Sequence, residues 1–389
     1  MKVALGMSAL MKGRRSQGID GIGTYSQQLF SGLSQSKLID ALPCSHNFAD
    51  DGICAREVTC IGAFKRQMLT SVLTGLTFPG ERLLPPDTTL FHSLDHYIPK
   101  YRNIPVIATI HDTIPLSHKE WFKPLHRAYH MALKRSMYWP NHVITVSQYS
   151  KLEIVKELGL PENSVSVVYN GVAKHWFRSP TEEEIIGIRK KYGLPKKYVI
   201  SVGTIQPRKN FTFLIKVFRC LPDDIRDDHS LVIIGKPGAN SKDICTKFKK
   251  EEKAGSFMWL NYVEETDLHL VVAGATAMAF PSLAEGFGLP IIEAFAVGTP
   301  VIASNSTSIP EVAGSAAILV SPTDVWAFSK GLAALLSEKT LREEMIYDGR
   351  QRAEEFAWET AVSRTIDVYS EVLGRTHYSA RSLPSGFVH

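Results

Sequence analysis

The residues with the most specific spacing form one segment that contains two carboxylates and two glycines, Pro281–Glu293. Glu285 follows an apolar run of strand length, and Glu293 lies about one turn into the next predicted helix. Between them, Gly286 and Gly288 allow a tight turn whose N–H groups can bind an anion. Carboxylates accept hydrogen bonds from sugar hydroxyls, so the segment is suited to a sugar that carries a phosphate.

A second polar segment, Val202–Asn210, places two cations where another predicted strand ends. Arg208 offers a planar fork and Lys209 a point charge, a combination that can pair with a diphosphate. Asn210 is a good N-cap for the helix that follows. The alternative is a solvated charge pair on a loop. Because ligands of parallel α/β sheets bind at the carboxyl ends of strands, the position favours a binding role.

The first glycine-rich loop, Gln17–Tyr25, is a weaker signal. Gly21 and Gly23 would let the backbone approach a ligand, and a helix beginning there would direct free N–H groups at an anion. A plain turn explains the same residues. The spacing also lacks the dinucleotide-binding fingerprint with its later acidic residue.

Four further polar residues lie at the ends of predicted elements. His111 ends an apolar strand; a lone histidine is more often structural, but the strand-end position favours function. Asp112 either orients His111 or caps the next segment. A helix cap explains Ser147 as well as a binding role does. Glu311 is best interpreted as an acidic residue in the first turn of a helix.

These residues depend on a framework in which apolar runs of strand length alternate with segments of helical periodicity. This alternation predicts parallel sheets with crossover helices. The strand-length runs are Val3–Ser8, Thr89–Ser93, Val106–Ile110, His142–Val146, Val165–Tyr169, Tyr198–Gly203, Leu231–Gly235, Phe257–Val263, Ala277–Pro281, Pro300–Ala303 and Ala316–Val320. The predicted helices include Gly23–Ser34, Leu125–Tyr138, Ser150–Leu158, Asn210–Leu221 and Leu289–Val297.

A chain of 389 residues is long enough for two domains. We predict an N-terminal domain over residues 1–175, a C-terminal domain over 176–375, and a loose tail over 376–389. The linker is expected between about Ala173 and Lys196. The stretch Asp40–Pro86 has no clear pattern, although Ala63–Leu76 within it fits an amphipathic helix with Lys65 and Arg66 on one side. Two doubly wound domains that face one another would form a cleft.

Composition excludes several classes of protein. A hydrophobic content of 44% with 21% charged residues excludes a disordered chain. Five scattered cysteines do not form a disulfide framework, and no apolar run is long enough to span a membrane, so a cytoplasmic protein is expected. Residues 1–175 contain 19 lysines and arginines against 13 acidic residues, and the remainder contains 25 against 26. A basic half can contact anionic lipid or a phosphorylated acceptor, although ordinary surface charge explains it more simply.

Together, the Glu285–Glu293 motif, the Pro207–Asn210 loop, the Gly21–Gly23 loop, His111-Asp112 and Tyr169–Val172 resemble the retaining glycosyltransferases of family 4, which have the GT-B fold. The similarity extends over roughly Lys2 to Leu373 and is strongest from Tyr198 to Pro322. The sequence resembles in particular the bacterial mannosyl- and rhamnosyl-type enzymes of polysaccharide and lipopolysaccharide synthesis. This resemblance implies two Rossmann-like domains and transfer of a hexosyl group from a nucleotide sugar.

The resemblance also implies roles for single residues. Glu285 matches the residue that binds the donor sugar, Glu293 the one that holds the ribose, and Lys209 the diphosphate-binding lysine. The arginine that many members carry a few residues earlier is Thr204 here, and Arg208 is the expected substitute. His111 matches a histidine close to the transferred sugar. The other residues that the resemblance implies on the donor side are Gly21, Gly23, Thr204, Gly286, Phe287, Gly288 and Leu289. Those that it implies on the acceptor side are Tyr25, Asp112 and Ser147.

No two aspartates stand two residues apart, so the metal-binding Asp-x-Asp motif of other glycosyltransferases is absent from the sequence. We therefore expect activity without a metal or other cofactor, with Lys209 and Arg208 neutralising the leaving diphosphate. The expected partners are a nucleotide-sugar donor, a glycan or lipid-linked acceptor and an anionic membrane surface, but no nucleic acid. The alternatives are a nucleotide-sugar epimerase or phosphorylase on the same scaffold, or a protein that only binds a sugar nucleotide.

Overall fold

The computed structural model describes residues 1–15, 18–47, 58–118, 121, 127–253 and 255–381, without the side chains of 127–130 and 375–381. The chain divides into two compact units. The first unit contains Met1–Ser117, the described residues from Arg127 to Asn170, and the last helix, which begins at Trp358. The second is formed mainly by Gly171–Ala357.

The first unit is built on a parallel sheet with the strand order β3-β2-β1-β4-β5-β6-β7. Its strands are β1 (Lys2–Gly6), β2 (Asp40–Ser45), β3 (Thr59–Cys60), β4 (Leu90–Ser93), β5 (Val106–Thr109), β6 (His142–Thr145) and β7 (Val165–Val167). Its helices are α1 (Ser8–Arg15), α2 (Gly21–Gln35), α3 (Phe64–Thr74), α4 (Ile114–Ser117), α5 (Arg127–Ser136) and α6 (Gln148–Leu158), to which the C-terminal helix is added. The strands β4, β5 and β6 are buried along their whole length, as strands covered on both faces must be.

The second unit has a parallel sheet of order β10-β9-β8-β11-β12-β13. Its strands are β8 (Tyr198–Val202), β9 (Ser230–Ile234), β10 (Phe257–Leu260), β11 (Ala277–Phe280), β12 (Val301–Ser304) and β13 (Ala317–Val320). Its helices are α7 (Glu182–Tyr192), α8 (Phe211–Arg219), α9 (Asp223–Asp228), α10 (Lys242–Glu252), α11 (Glu265–Ala273), α12 (Leu289–Val297), α13 (Ile309–Ala313), α14 (Val325–Ser337) and α15 (Lys339–Glu354). The order of the strands reverses between β8 and β11, and this reversal is where α/β sheets bind ligands.

Each strand that the sequence predicted is present, but two further strands, β2 and β3, were missed. β2 contains Pro43, and a proline weakens the sequence signal for an interior strand. β3 has only two residues. The first strand ends at Gly6 rather than Ser8, because Ser8 begins α1. The predicted linker is largely helical, since α7 begins with a capping box between Thr181 and Glu184.

The largest difference concerns the C-terminus. Helix α16 (Trp358–Arg381) belongs to the first unit, whereas the sequence assigned its residues up to 375 to the C-terminal domain and the rest to a loose tail. The helix packs against α2: a Cβ atom placed on Gly32 would lie 2.4 Å from Cγ2 of Val362. Only three-dimensional packing reveals this return of the chain. The end of the predicted tail, residues 382–389, lies outside the described residues.

Candidate active site

The two predicted cations lie directly after β8, in a short 3-10 turn, Pro207–Lys209. Asn210 follows in the left-handed conformation, with φ 58°. Its position is that of a helix N-cap, but its side chain does not cap α8. Instead its Nδ2 donates to the carbonyl oxygens of Pro281 at 3.3 Å and Pro322 at 2.9 Å. Asn210 therefore ties the loop after β8 to the loops after β11 and β13.

Glu285 lies in the loop after β11 and forms ion pairs with both cations. Its Oε1 lies 2.6 Å from Nζ of Lys209, and its Oε2 lies 2.7 Å from Nη1 of Arg208. Glu285 and Lys209 are each 7% exposed. Burial by itself would raise the pKa of Glu285, but the charges of Arg208 and Lys209 outweigh it and lower that pKa to about 2. We call these three residues the charge triad.

The backbone on both sides of the charge triad is fixed by hydrogen bonds. Leu283 donates its N–H to the Arg208 carbonyl at 2.8 Å, and Arg208 Nη1 donates to the Ala284 carbonyl at 3.1 Å. These bonds join the loops after β8 and β11 to each other. The triad is therefore positioned by two neighbouring strand ends rather than by the side chains alone.

Two residues that the sequence analysis missed also hold this turn. Glu285 donates its N–H to Oγ1 of Thr307 at 3.0 Å, and Thr307 has a positive φ of 54°. Ser308 Oγ donates to the carbonyl oxygens of Glu285, at 2.9 Å, and Phe287, at 3.2 Å. Both residues directly precede α13, and a Thr-Ser pair before a helix is normally interpreted as a cap, which is why their role was not predicted.

Lys209 has an unusually apolar environment for a cation. Its Nζ lies 4.9 Å from the ring centre of Phe280. Gly203 lies against its stem, because a Cβ atom there would approach Cε of Lys209 to 3.1 Å. Thr204, the residue in place of the usual arginine, is half-buried, and its methyl group faces Gly238. Charge in this loop comes from Arg208 and Lys209, as the sequence predicted.

The predicted glycine turn leads into α12. Gly288 has a φ of 107° and occupies the N-cap of α12 without a side-chain cap, so Leu289 begins the helix. The ring of Phe287 is buried and packs edge-on against Phe356, with the ring centres 5.7 Å apart. Gly286 is buried within the turn.

Glu293 lies on α12 and is half-buried. Burial, with a smaller effect from Glu265, raises its pKa to about 7. Its carboxyl group forms no hydrogen bond or ion pair with the residues that the structure describes. Glu285 and Glu293 therefore have opposite electrostatic environments although they are close in sequence, and Glu293 can donate as well as accept a hydrogen bond near neutral pH.

The first unit contains the other predicted residues, grouped near His111. The Nε2 atom of His111 lies 3.1 Å from the Leu94 carbonyl oxygen. A carbonyl only accepts, so Nε2 carries the proton and Nδ1 keeps the lone pair. Burial lowers the pKa of His111, partly offset by the Leu94 carbonyl and by Asp112 and Asp20. His111 is thus held as a neutral imidazole with one defined tautomer.

Several of these predicted residues have structural contacts of their own. Tyr25 is 2% exposed, and its hydroxyl lies 2.8 Å from that of Thr109. Asp112 accepts the N–H of Ile114 at 3.1 Å, and Ser147 accepts the N–H of Ser150 at 3.0 Å as the N-cap of α6. Asp112 and Ser147 therefore each accept a backbone N–H at the start of a helix, which is the capping alternative given above for both residues. Ser150 in turn donates its hydroxyl to the His111 carbonyl at 3.1 Å.

The glycine loop of the first unit is shaped by packing. Gly21 begins α2, and Asp20, which the sequence analysis did not single out, caps that helix by accepting the N–H of Gly23 at 2.9 Å. A Cβ atom on Gly23 would lie only 2.6 Å from Cγ2 of Ile19.

The described residues include no cluster of three or more potential metal-ligating side chains, and no described helix has the length and apolar character of a membrane span.

Two family models match the chain. The model described as "Glycosyl transferases group 1" matches residues 184–352, and the model described as "Glycosyltransferase Family 4" matches residues 87–175. The first match contains the charge triad and Glu293, and the second contains His111, Asp112 and Ser147.

Relatives with assigned names match over most of the chain. O-antigen chain mannosyltransferase B of Escherichia coli is 29% identical, over 90% of this chain and 96% of that protein. O-antigen chain mannosyltransferase RfbU of Salmonella typhimurium is 28% identical, over 78% of this chain and 84% of that protein. The serotype-specific mannosyltransferase WbdA of Escherichia coli is 24% identical, over 70% of this chain but only 34% of its own length.

Solved structures share the fold at low sequence identity. Sucrose-phosphate synthase from Thermosynechococcus elongatus superposes with a TM-score of 0.77 at 17% identity, covering 96% of this chain and all of that chain (100%). WaaG, a glycosyltransferase involved in lipopolysaccharide biosynthesis, superposes with a TM-score of 0.71 at 13% identity, covering 94% and 99%. These structures, with the two parallel sheets, confirm the GT-B fold. The two family models, which together match residues 87–175 and 184–352, show that the chain belongs to the group 1 and family 4 glycosyltransferases.

Proposed function

We propose that the protein is a retaining, metal-independent hexosyltransferase that moves a sugar from a nucleotide-sugar donor to a glycan or lipid-linked acceptor. The observation that supports this most directly is the charge triad of Arg208, Lys209 and Glu285 at the carboxyl ends of β8 and β11. It presents two cations and a carboxylate at the reversal of strand order, where a diphosphate and its attached sugar need both kinds of group.

In the proposed donor complex the diphosphate binds Arg208 and Lys209. Both cations already contact an anion in the free protein, namely the Glu285 carboxylate, at 2.7 and 2.6 Å. A diphosphate that competes for them would leave Glu285 with unused acceptor capacity, which the hydroxyls of the donor sugar can fill. Glu293 would bind the ribose, and the turn Gly286–Leu289 would lie against the phosphates at the start of α12.

The proposed chemistry uses the cations to stabilise the leaving group. The bond between the anomeric carbon and the diphosphate oxygen breaks, and the acceptor oxygen forms a new bond to the same face of that carbon. The acceptor hydroxyl proton passes to the departing phosphate oxygen, so that a nucleoside diphosphate leaves. Lys209 and Arg208 neutralise the charge that develops on it, which is the role of a metal ion in other transferases. His111, through its Nδ1 lone pair, would accept a hydrogen bond from a sugar hydroxyl.

The donor sugar is proposed from the relatives. Two relatives that match over most of their length are named O-antigen chain mannosyltransferases, so a mannosyl donor such as GDP-mannose is the first candidate. A UDP- or dTDP-sugar is the alternative. The same names favour an acceptor in cell-surface polysaccharide synthesis, with the enzyme acting on the cytoplasmic side.

A lipid-linked acceptor requires access to a membrane surface, and α3 fits peripheral contact. The residues Lys65, Arg66, Leu69 and Leu73 lie within an arc of about 100° on this helix. Leu69 is 48% exposed and Leu73 83% exposed, an arrangement that places apolar groups beside two exposed cations. Such a surface can insert its leucines and gain about 1 kcal/mol for each cation near anionic lipid.

Trp121 and Phe122 are two further aromatic candidates for contact with the membrane. Trp121 is only partly exposed, because its ring stacks on His118 at a centre distance of 4.1 Å. Phe122 lies outside the described residues. The proposed contact therefore depends on α3.

The donor assignment can be tested by thermal shift and by transfer. Purified protein is screened against GDP, UDP, dTDP and their sugars; a nucleotide at 100 times its Kd adds about 2.7 kcal/mol to stability. The expected result is stabilisation by one nucleoside diphosphate and transfer from the matching sugar. Lys209→Ala should weaken stabilisation by the nucleoside diphosphate and Glu285→Gln should reduce transfer about a hundred to a thousandfold, whereas Glu251→Gln should change neither. Glu251 is a matched control because it is 8% exposed and bonded to Arg219 at 2.7 Å.

Other outcomes would contradict the proposal. Turnover of a nucleotide sugar to an isomer without any acceptor would indicate an epimerase. Phosphate-dependent cleavage would indicate a phosphorylase. Binding with neither transfer nor hydrolysis across the whole panel would indicate a protein that only binds its ligand.

A further inference from the structure

A chain of three hydrogen bonds runs through the interior of the first unit. The Tyr25 hydroxyl lies 2.8 Å from Oγ1 of Thr109, and the same oxygen lies 2.8 Å from Nε2 of His92. On its other side, His92 Nδ1 lies 2.7 Å from the Tyr369 hydroxyl. The four side chains are 0–2% exposed. They come from α2, β5, β4 and α16, so these hydrogen bonds join two neighbouring strands to the second helix and to the C-terminal helix.

His92 connects the two halves of this chain. Burial lowers the pKa of His92 to about 3, with a smaller effect from His111, so the ring is neutral at physiological pH. A neutral imidazole has one N–H donor and one acceptor nitrogen, and here each nitrogen contacts a hydroxyl. The hydroxyls can rotate to supply whichever role the ring leaves open. An apolar residue at this position would remove one hydrogen-bond partner from each of the two neighbouring hydroxyls.

The hydrogen-bonded chain ends next to His111. The Tyr25 ring contacts the His111 ring edge-on, with centres 4.7 Å apart and planes at 88°. The other constraint on His111 is the Leu94 carbonyl at Nε2. The Leu94 carbonyl fixes the position of Nε2, and the Tyr25 ring limits rotation of the imidazole. The orientation of His111 therefore depends on where Tyr25 lies, and Tyr25 is fixed through its hydroxyl.

The far end of the chain is on the C-terminal helix. Tyr369 lies on α16, which also places Trp358 with its ring centre 6.1 Å from that of Tyr25. Tyr25 is thus held at its hydroxyl by the chain and at its ring by the start of α16. Of the four residues in this series of hydrogen bonds, only Tyr25 was singled out by the sequence.

We propose that Tyr369 and His92 are positioning residues: through Thr109 and Tyr25 they hold His111 in one orientation, so that packing of the C-terminal helix sets the geometry of the histidine proposed to contact the transferred sugar. This inference depends on the proposed function for its effect on the rate, but not for its effect on the His111 ring. Weakening the chain should allow His111 to rotate and exchange tautomers, which lowers kcat more than it changes binding of the nucleotide.

The test compares Tyr369→Phe with a matched control, Tyr198→Phe. Each substitution removes one buried tyrosine hydroxyl; that of Tyr198 donates to the Val271 carbonyl at 2.5 Å and belongs to the second unit, whereas His111 belongs to the first. We expect Tyr369→Phe to lower kcat about tenfold with the donor KM within about twofold of wild type, since small misplacements of reacting groups reduce rates strongly. Tyr198→Phe should keep the wild-type kcat.

A measurement without substrate separates this inference from the proposed function. In protein labelled with ¹⁵N-histidine, His111, assigned with a His111→Gln variant, should show a single Nε2–H tautomer. In Tyr369→Phe it should show a mixture, while Tyr198→Phe should resemble wild type. A single Nε2–H tautomer in Tyr369→Phe would overturn the inference, and so would an equal loss of kcat in both variants. If wild type transfers no sugar, the proposed function fails and the ring measurement still decides the positioning role.

Discussion

Replacing Glu285 with glutamine should change how the stability of the protein depends on pH. The pKa of Glu285 is lowered from its ordinary value of 4.5 to about 2, because Arg208 and Lys209 outweigh the effect of burial. A group with a lowered pKa in the folded state binds fewer protons than in the unfolded state. Its contribution is therefore complete above about pH 4.5 and is lost as the pH falls toward 2.

The expected size follows from the two pKa values. Their difference corresponds to about 3 kcal/mol of folding free energy when Glu285 is ionised, and about 1 kcal/mol of this is lost by pH 3.5. Glutamine does not titrate, and it leaves the cations without their carboxylate. The difference in unfolding free energy between wild type and Glu285→Gln should therefore be largest near pH 7.5 and smaller by about 1 kcal/mol at pH 3.5.

Glu293 provides a comparison with the opposite sign. Burial raises its pKa from 4.5 to about 7, so its favourable contribution is present below pH 4.5 and is lost as the pH rises through 7. Glu293→Gln should thus be more stable than wild type at pH 8 and similar to it at pH 4. Urea unfolding of the three proteins, followed by circular dichroism between pH 3.5 and 8, measures both effects. A constant difference for Glu285→Gln, or the same sign of pH dependence for both variants, would refute this account of the charge triad.

Three further outcomes concern activity and membrane contact. Lys209→Ala and Glu285→Gln should each reduce transfer about a hundred to a thousandfold while folding normally, as measured by initial rates and circular dichroism; transfer by Lys209→Ala within a few-fold of wild type would remove its proposed role. Activity should survive EDTA, and recovery that strictly requires Mg²⁺ or Mn²⁺ would show that the cations do not suffice. Co-sedimentation with anionic vesicles should be strong at low salt and weak at high salt, and the Lys65→Glu/Arg66→Glu variant should bind less. Leu73→Glu should also bind less, whereas Leu152→Glu, at a leucine 64% exposed on α6, should not, and equal binding to neutral and anionic vesicles would exclude the proposed surface.

The sequence predicted the fold class because the strands of parallel sheets are buried on both faces and therefore appear as short apolar runs between amphipathic helices. Runs such as Ala277–Phe280 and Val301–Ser304 are buried along their entire length. The sequence also placed Arg208, Lys209 and Glu285 correctly at strand ends, since a polar motif directly after an apolar strand has few other positions available. The family resemblance was confirmed by the models that match both halves of the chain.

Tertiary structure alone decided which of these groups contact one another. Local sequence does not indicate that Glu285 bonds to both cations, that Asn210 bridges two loops rather than capping a helix, or that Thr307 and Ser308 hold the turn. These are contacts between loops of separate strands, and side-chain type and spacing along one segment carry no information about them.

The same limit explains why α16 was assigned to the wrong unit. Its amphipathic pattern predicts a helix but does not specify the surface on which its apolar face is buried. That surface is provided by α2, where Gly32 leaves room for Val362, and by His92, which bonds to Tyr369 at a separation of 277 residues. The sequence by itself determined which elements form and which end of each sheet carries the polar groups. The partners of those groups, and the burial that shifts their pKa values, arise only when distant segments pack together.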